Sequence, residues 1–197
     1  VDGYSRTRLR SRNLGLAFEE EQRGGGLRLG KEFTDTVRSS LGYQLFQTRI
    51  SCVAGDASAD LKAEEGRSTI SETNLSLTWD TRNNRFDPTQ GFVLFGSTDL
   101  AGGVFAGDKD FYRLQGGASG YVPHCNNRLV FESRLRTGIV DHFSNTNEVP
   151  IFERFFAGGS DTIRGFQERR VGPRDLTSND PIGGEALLIG TLEEVLT

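Results

Sequence analysis

Phe155-Phe156-Ala157-Gly158-Gly159-Ser160-Asp161-Thr162-Ile163-Arg164-Gly165-Phe166, followed by Val171-Gly172-Pro173, is the stretch on which the reading of this chain turns. It gathers aromatics, glycines and one arginine inside a segment, residues 142–181, that shows no strand period. Loops longer than about 12–15 residues are uncommon inside compact domains and are usually functional. Glycines such as Gly158, Gly159 and Gly165 permit positive φ angles and let such a loop fold back on itself. Phe155, Phe156 and Phe166 make little sense on a solvated loop. They are expected to pack against something, and the alternating segments on either side say what.

Period-2 alternation dominates the rest of the chain. Leu75, Leu77 and Trp79 oppose Asn74, Ser76, Thr78 and Asp80. Leu129, Phe131, Leu135 and Ile139 oppose Arg128, Glu132, Arg134 and Arg136. Val37, Leu41, Tyr43 and Leu45 oppose Thr36, Arg38, Ser40 and Gln44, and Tyr112, Leu114, Ala118 and Val122 oppose Arg113, Gln115, Ser119 and Tyr121. Aliphatics on one face and charges on the other, strand after strand, is the pattern of a barrel wall with a polar lumen. Strands are expected near 2–13, 23–33, 36–54, 67–81, 89–102, 109–123, 127–141 and 182–196. Their connections alternate between tight turns (near 34–35, 82–88 and 123–127) and longer loops (near 14–22, 55–66, 103–108 and 142–181), as outer-membrane barrels are built. Arg6, Arg8, Arg10 and Arg12 share one face of the first strand. At the bilayer midplane each would cost about 2–4 kcal/mol, so they face the lumen, sit at the rim or lie on an unpaired edge.

Composition agrees. Of 197 residues 35% are hydrophobic, with 25 Gly and 14 Phe, which suits a sheet with one wet and one apolar face better than a two-layer globule. The net charge of −4 is spread along the chain, which gives no basis for nucleic-acid binding. No 18-residue apolar run exists, so no transmembrane helix is expected, but a spanning strand needs only about 9–11 residues. The chain has no Met and no signal peptide, and reads as an interior portion of a mature protein. Cys52 and Cys125 are expected near opposite rims, unbonded to each other.

A second motif runs Asp80-Thr81-Arg82-Asn83, four residues, then Pro88-Thr89-Gln90-Gly91. Asn-Asn, Asp-Pro and Gln-Gly favour a turn. Together with Ile163-Arg164-Gly165-Phe166, this order resembles BamA-type outer-membrane assembly insertases of the BamA/TamA superfamily. In that family a long sixth loop carries a Val/Ile-Arg-Gly-Phe/Tyr tip, and a turn like that at Asp80, Arg82, Pro88, Thr89 and Gly91 lies on the periplasmic side. Gly183-Gly184-Glu185-Ala186 through Leu192-Glu193 resembles the family's following strand. The resemblance implies Arg164 as a lumen tether and Glu193 as its acidic anchor on the wall. Phe155, Phe156, Gly158, Gly159, Gly172 and Pro173 would support the loop. Glu194-Val195-Leu196 stands where the family usually places an aromatic and then Phe-Pro.

The expected fold is all-β: one antiparallel transmembrane wall, residues 1–197, corresponding to the fifth through twelfth strands of a family barrel of about sixteen. The periplasmic POTRA domains are absent from this sequence. A closed barrel of eight strands would have a lumen filled by side chains, so in that case the loop would have to sit outside. The resemblance implies a barrel that inserts and folds other β-barrel proteins, with unfolded outer-membrane proteins as clients, outer-membrane lipid around it and accessory assembly lipoproteins as partners. It implies no covalent chemistry, cofactor or metal. A TamA-like or two-partner-secretion transporter shares the loop motif; a soluble antiparallel β-domain binding a ligand and a diffusion porin are the other readings.

The remaining features read as structural. Gly158 to Gly165 lacks a Gly-Lys-Ser/Thr ending and precedes no helix, so it is not a phosphate loop. His124 and His142 flank one strand and cannot share a metal. The serines have no nucleophile-elbow context. Glu19-Glu20-Glu21 is expected in a solvated loop.

Overall fold

The computed structural model describes residues 2–10, 18–53, 55, 58–126, 128–144, 146 and 148–196, with side chains from residue 19 onward except that of Asp60. Its strands are β1 (Asp2–Arg10), β2 (Phe18–Glu32), β3 (Val37–Ser51), β4 (Gly66–Asp80), β5 (Gly91–Ala101), β6 (Phe111–His124), β7 (Leu129–His142) and β8 (Ala186–Leu196). Each pairs antiparallel with the next, giving one 8-stranded sheet in chain order. The sheet is open: β1 and β8 are edge strands. An open wall has no filled lumen, and the long loop lies against its concave face rather than outside it.

Short connections at 33–36, 81–90 and 125–128 share one end of the sheet, and long ones at 52–65, 102–110 and 143–185 share the other. Residues 14–17 of the loop expected at 14–22 fall outside the described residues, as does Arg12, and residues 18–22 belong to β2. The last part of that loop is thus corrected: Glu19, Glu20 and Glu21 lie in β2, paired with Ser51, Ile50 and Arg49. The triple glutamate is compatible with a strand because the pleat divides it between faces. Glu20 is buried on the concave side. The register aligns Arg6, Arg8 and Arg10 with Gln22, Glu20 and Phe18. β8 begins at Ala186, four residues later than expected, because residues 181–184 pair with the loop instead.

Leu41, Leu45, Leu75, Leu77, Trp79, Leu135 and Ile139 stand exposed on the convex face. Their partners Leu41↔Leu75, Ser39↔Leu77 and Val37↔Trp79 show how the rows continue from strand to strand. A contiguous apolar surface of this breadth exceeds what a water-soluble monomer exposes. Among the described residues no helix is long and apolar enough to cross a membrane; the strands, of 9–15 residues, have the length to do so.

The concave face departs from a uniformly polar lining. Toward the long-loop end Phe46, Ile70, Ala101, Phe111 and Val140 form an apolar cluster with Val149 of the long loop, and Phe152 and Phe155 pack against it. A second cluster joins Ile50, Ile151 and Leu61. Leu61 comes from α1 (Ala59–Ala63), a single turn capped by Ser58, whose Oγ accepts from the Leu61 N–H at 3.3 Å. The wall there is apolar because the loop dehydrates it. The loop itself is ordered by local pairing: Phe155↔Gly184, Ala157↔Val171, Gly159↔Ile163 and Arg174↔Pro181. Cys52 and Cys125 are free and exposed, one after β3 at the long-loop end and one in the β6–β7 turn.

The Phe155 ring lies on Gly138 of β7, where an added Cβ would meet the ring at 2.5 Å. Gly138→Val is therefore expected to lift Phe155 from its seat and cost about 1–3 kcal/mol, the usual penalty of overpacking. Urea unfolding of the intact protein in lipid vesicles measures this; an unchanged midpoint would contradict the packing.

Candidate functional site

The long loop enters at the end of β7 and reaches down the concave face. Its tip is a tight hairpin built by the motif's own residues. The Gly158 N–H donates to Thr162 Oγ1 at 2.8 Å, and that hydroxyl donates to the Gly158 carbonyl at 2.8 Å. The Gly159 N–H donates to the Phe166 carbonyl at 3.0 Å. Gly158, Gly159 and Gly165 adopt φ of 111°, 93° and 85°, a region that disfavours side chains. Arg136 of β7 donates to the Asp161 carbonyl at 3.1 Å, pinning the hairpin to the wall. Arg169 stacks over the Phe156 ring, 3.5 Å from its centroid. Gly172 has φ 124°, and the Pro173 carbonyl accepts from the Ile182 N–H at 3.2 Å, closing the return limb.

Arg164 ends at Glu193 of β8, with Nη2 3.2 Å from Oε1. Glu193 lies seven residues along β8 from Ala186, so the tip has descended about 24 Å of strand at ~3.4 Å per residue. Arg164 is 69% exposed in this chain, and exposed ion pairs contribute only about 0–1 kcal/mol. Phe155 and Phe156 pack as expected. Phe166 does not: it is 57% exposed, because the Gly159–Phe166 bond closes the hairpin short of both apolar clusters.

Nearer the loop's root is a polar contact that sequence reasoning missed. Glu153 of the loop receives Arg113 Nη1 from β6, and Arg113 Nε donates to Asp99 Oδ2 of β5 at 2.8 Å. Asn74 of β4 donates to the other Asp99 oxygen. Glu153, Asp99 and Glu72 are all buried. Burial pushes the Glu153 carboxyl above its usual range; Arg113 opposes this, and Asp99 and Glu20 reinforce it. The signal was present: an acid inside the apolar run Pro150-Ile151-Phe152-Glu153-Arg154-Phe155-Phe156 must find a cation. Asp99 and Arg113 are directly paired across β5 and β6.

The turn motif is also organised around one carboxylate. Arg82 donates Nε and Nη2 to the two Asp80 oxygens, each at 2.9 Å, while Arg85 and Arg38 approach at 3.7 and 3.8 Å. The hydrogen bond to Asp80 raises the Arg82 guanidinium pKa further. Asn83 Oδ1 accepts from the N–H groups of Thr89 and Gln90, at 3.1 and 3.2 Å. Gly91 has φ 103°, and a Cβ there would meet the Thr81 carbonyl at 2.5 Å. Pro88 sits half-buried within this turn. The two motifs approach one another on the concave face. Arg82 interacts with Tyr121, Tyr121 with Glu132, and Glu132 is the register partner of Glu193. Among the described residues no His, Cys, Asp and Glu side chains converge as metal ligands. His124 contacts Glu194 and His142 contacts Asp141.

The Omp85 superfamily domain matches residues 3–196. The chain belongs to the Omp85 superfamily. The match takes in β1–β3, which carry neither of the two motifs. The chain is 32% identical over 171 residues to an outer membrane protein assembly factor BamA of Nitratidesulfovibrio vulgaris, covering 82% of this chain and 21% of that protein. It is 31% identical over 150 residues to a SAM50-like protein of Schizosaccharomyces pombe, covering 75% of this chain and 31% of that one. The fold matches the crystal structure of BamA from Haemophilus ducreyi lacking POTRA domains 1–3 with a TM-score of 0.80 at 20% identity, over 98% of this chain and 40% of that one. This Omp85 wall therefore spans well under half the length of the relatives it matches.

The two loop contacts differ in burial, and so in expected energy. Arg113→Ala leaves the buried Glu153 and Asp99 carboxylates without their shared cation and is expected to cost about 3–5 kcal/mol. Arg164→Ala is expected to cost no more than about 1 kcal/mol. Parallel urea titrations of the two variants read the difference; equal losses would show that burial does not rank these pairs.

Proposed function

We propose that this chain is the wall portion of an outer-membrane assembly factor, in a bacterium or a derived organelle, that inserts and folds other β-barrel proteins. The observation that carries this reading is the loop tip on the concave wall, with Arg164 at Glu193. It is supported by the bacterial BamA and the SAM50-like relatives. The clients are unfolded outer-membrane proteins, which reach such a factor with backbone groups unpaired. Lipid covers the convex face, and accessory assembly lipoproteins act with the whole protein. The process is pairing of backbone edges and transfer of apolar strands into lipid, so it needs no nucleophile, cofactor or metal.

Within it, Arg164 is the tether and Glu193 its anchor, with Ile163, Gly165 and Phe166 shaping the tip. The turn built on Asp80, Arg82, Pro88, Thr89 and Gly91 closes the opposite rim. A guanidinium and a carboxylate pair directionally, so the pair selects one docked position of the loop even where its net stabilisation is small.

In the intact protein, Arg164→Ala or Glu193→Ala is expected to lower the yield of folded client barrels, and the reciprocal charge swap to restore part of it. Assembly of a heat-modifiable client in proteoliposomes measures this. Full activity in either single variant would remove the tether from the mechanism. A protein that stays monomeric in water without detergent would instead favour a soluble β-domain.

A further inference from the structure

The convex face is apolar through the middle of β2, β3 and β4, but it ends in a basic cluster toward the long-loop rim. Glu21 and Arg23 of β2, Gln47 and Arg49 of β3 and Arg67 of β4 line a shallow recess of about 180 Å³. The registers place Glu21 opposite Arg49, and Arg49 opposite Arg67. Side chains directly opposite on antiparallel strands are about 4.5–5.5 Å apart at Cβ, and like charges there are destabilising. The available acids do not relieve this. Glu21 receives Arg23 Nε at 2.8 Å, Glu19 lies by the Cys52 thiol, and Asp108 Oδ2 accepts from the Thr69 N–H at 2.6 Å. Among the described residues Arg49 and Arg67 have no ion-pair partner, and both are exposed.

Their height matters. The aliphatic row of β3 runs outward through Val37, Leu41, Tyr43 and Leu45. Arg49 lies four residues beyond Leu45, about 14 Å along the strand. With strands tilted ~35–45°, that is about 10 Å along the bilayer normal. The guanidinium groups thus leave the hydrocarbon and enter the headgroup layer, where an arginine costs only about 0–1 kcal/mol. Two opposed guanidiniums at that depth, facing lipid and without a carboxylate between them, form an anion site. Lipid presents a phosphate at the same level.

We propose that Arg49 and Arg67, flanked by Arg23 and Gln47, bind the phosphate of an anionic lipid headgroup on the convex face at the long-loop rim. The proposal rests on the reading of this chain as a membrane wall. Guanidinium–phosphate hydrogen bonds are charge-assisted and bidentate, and a bound phosphate turns the Arg49–Arg67 repulsion into a shared contact.

The test uses the full-length protein, reconstituted into phosphatidylcholine vesicles containing either phosphatidylglycerol or lipid A and then re-extracted in mild detergent. Native mass spectrometry counts the lipids retained. The wild type is expected to keep anionic lipid in preference to phosphatidylcholine, and the Arg49→Gln/Arg67→Gln variant to keep about tenfold less. In pure phosphatidylcholine the double variant is expected to fold at least as well as the wild type, since it removes opposed like charges. Equal retention by wild type and variant overturns the site. Complete displacement of lipid by excess inorganic phosphate overturns the assignment to lipid and leaves a free-phosphate site. Should the double variant insert poorly, Arg67→Gln alone is expected to lose lipid to a lesser degree, and undiminished retention in it overturns the proposal. A protein that never enters vesicles fails the membrane reading itself, whereas one that inserts with arginine-independent lipid binding fails only this inference.

Discussion

Every feature of this wall depends on the two-residue pleat of a strand whose backbone groups are all paired sideways. In hydrocarbon an unpaired N–H or carbonyl costs several kcal/mol, so the strands run side by side in chain order with continuous registers. Once that pairing is set, each side chain has only two destinations, lipid or the concave side. Leu75, Leu77 and Trp79 go one way; Ser76, Thr78 and Asp80 go the other. A slip of one residue would exchange the two sets. The same constraint makes sense of Glu19, Glu20 and Glu21, which local composition assigns to a loop but pairing with β3 draws into β2.

The concave side serves the loop in two different ways. Its upper part is apolar and is covered by Val149, Ile151, Phe152 and Phe155. Its lower part is a field of charges that ends at Glu193. Apolar burial is non-directional and holds the loop's root to the wall without selecting a register. The ion pairs supply direction: Glu153 to Arg113 within the buried zone, Arg164 to Glu193 beyond it. The loop is therefore secured at two heights, at its root by apolar burial and the Glu153–Arg113 pair and at its tip by the Arg164–Glu193 pair.

The legibility of the site followed the locality of its chemistry. The tip hairpin was readable because Gly158, Gly159, Thr162 and Phe166 make their bonds within a few residues of one another. The Asp80–Arg82 turn was readable for the same reason. The Glu153–Arg113–Asp99 contact was not, since its members are separated by 40 and 14 residues. Its only local trace was one acid in an apolar run. Phe166 looked like a packing residue from composition, yet the hairpin that its own carbonyl closes leaves it outside both clusters.

The sequence by itself determined the fold class, the eight strands, the alternation of short and long connections and the membership of the two motifs. Each of these depends on periods and turn chemistry that operate within about a dozen residues. Tertiary structure decided which strand pairs with which residue opposite, and through that the juxtaposition of Arg49 with Arg67, the burial of Glu20 and the apolar upper lining. Register is a relation between segments distant in the chain. It is settled by how a long loop and eight strands share one curved surface, and no single strand carries that information.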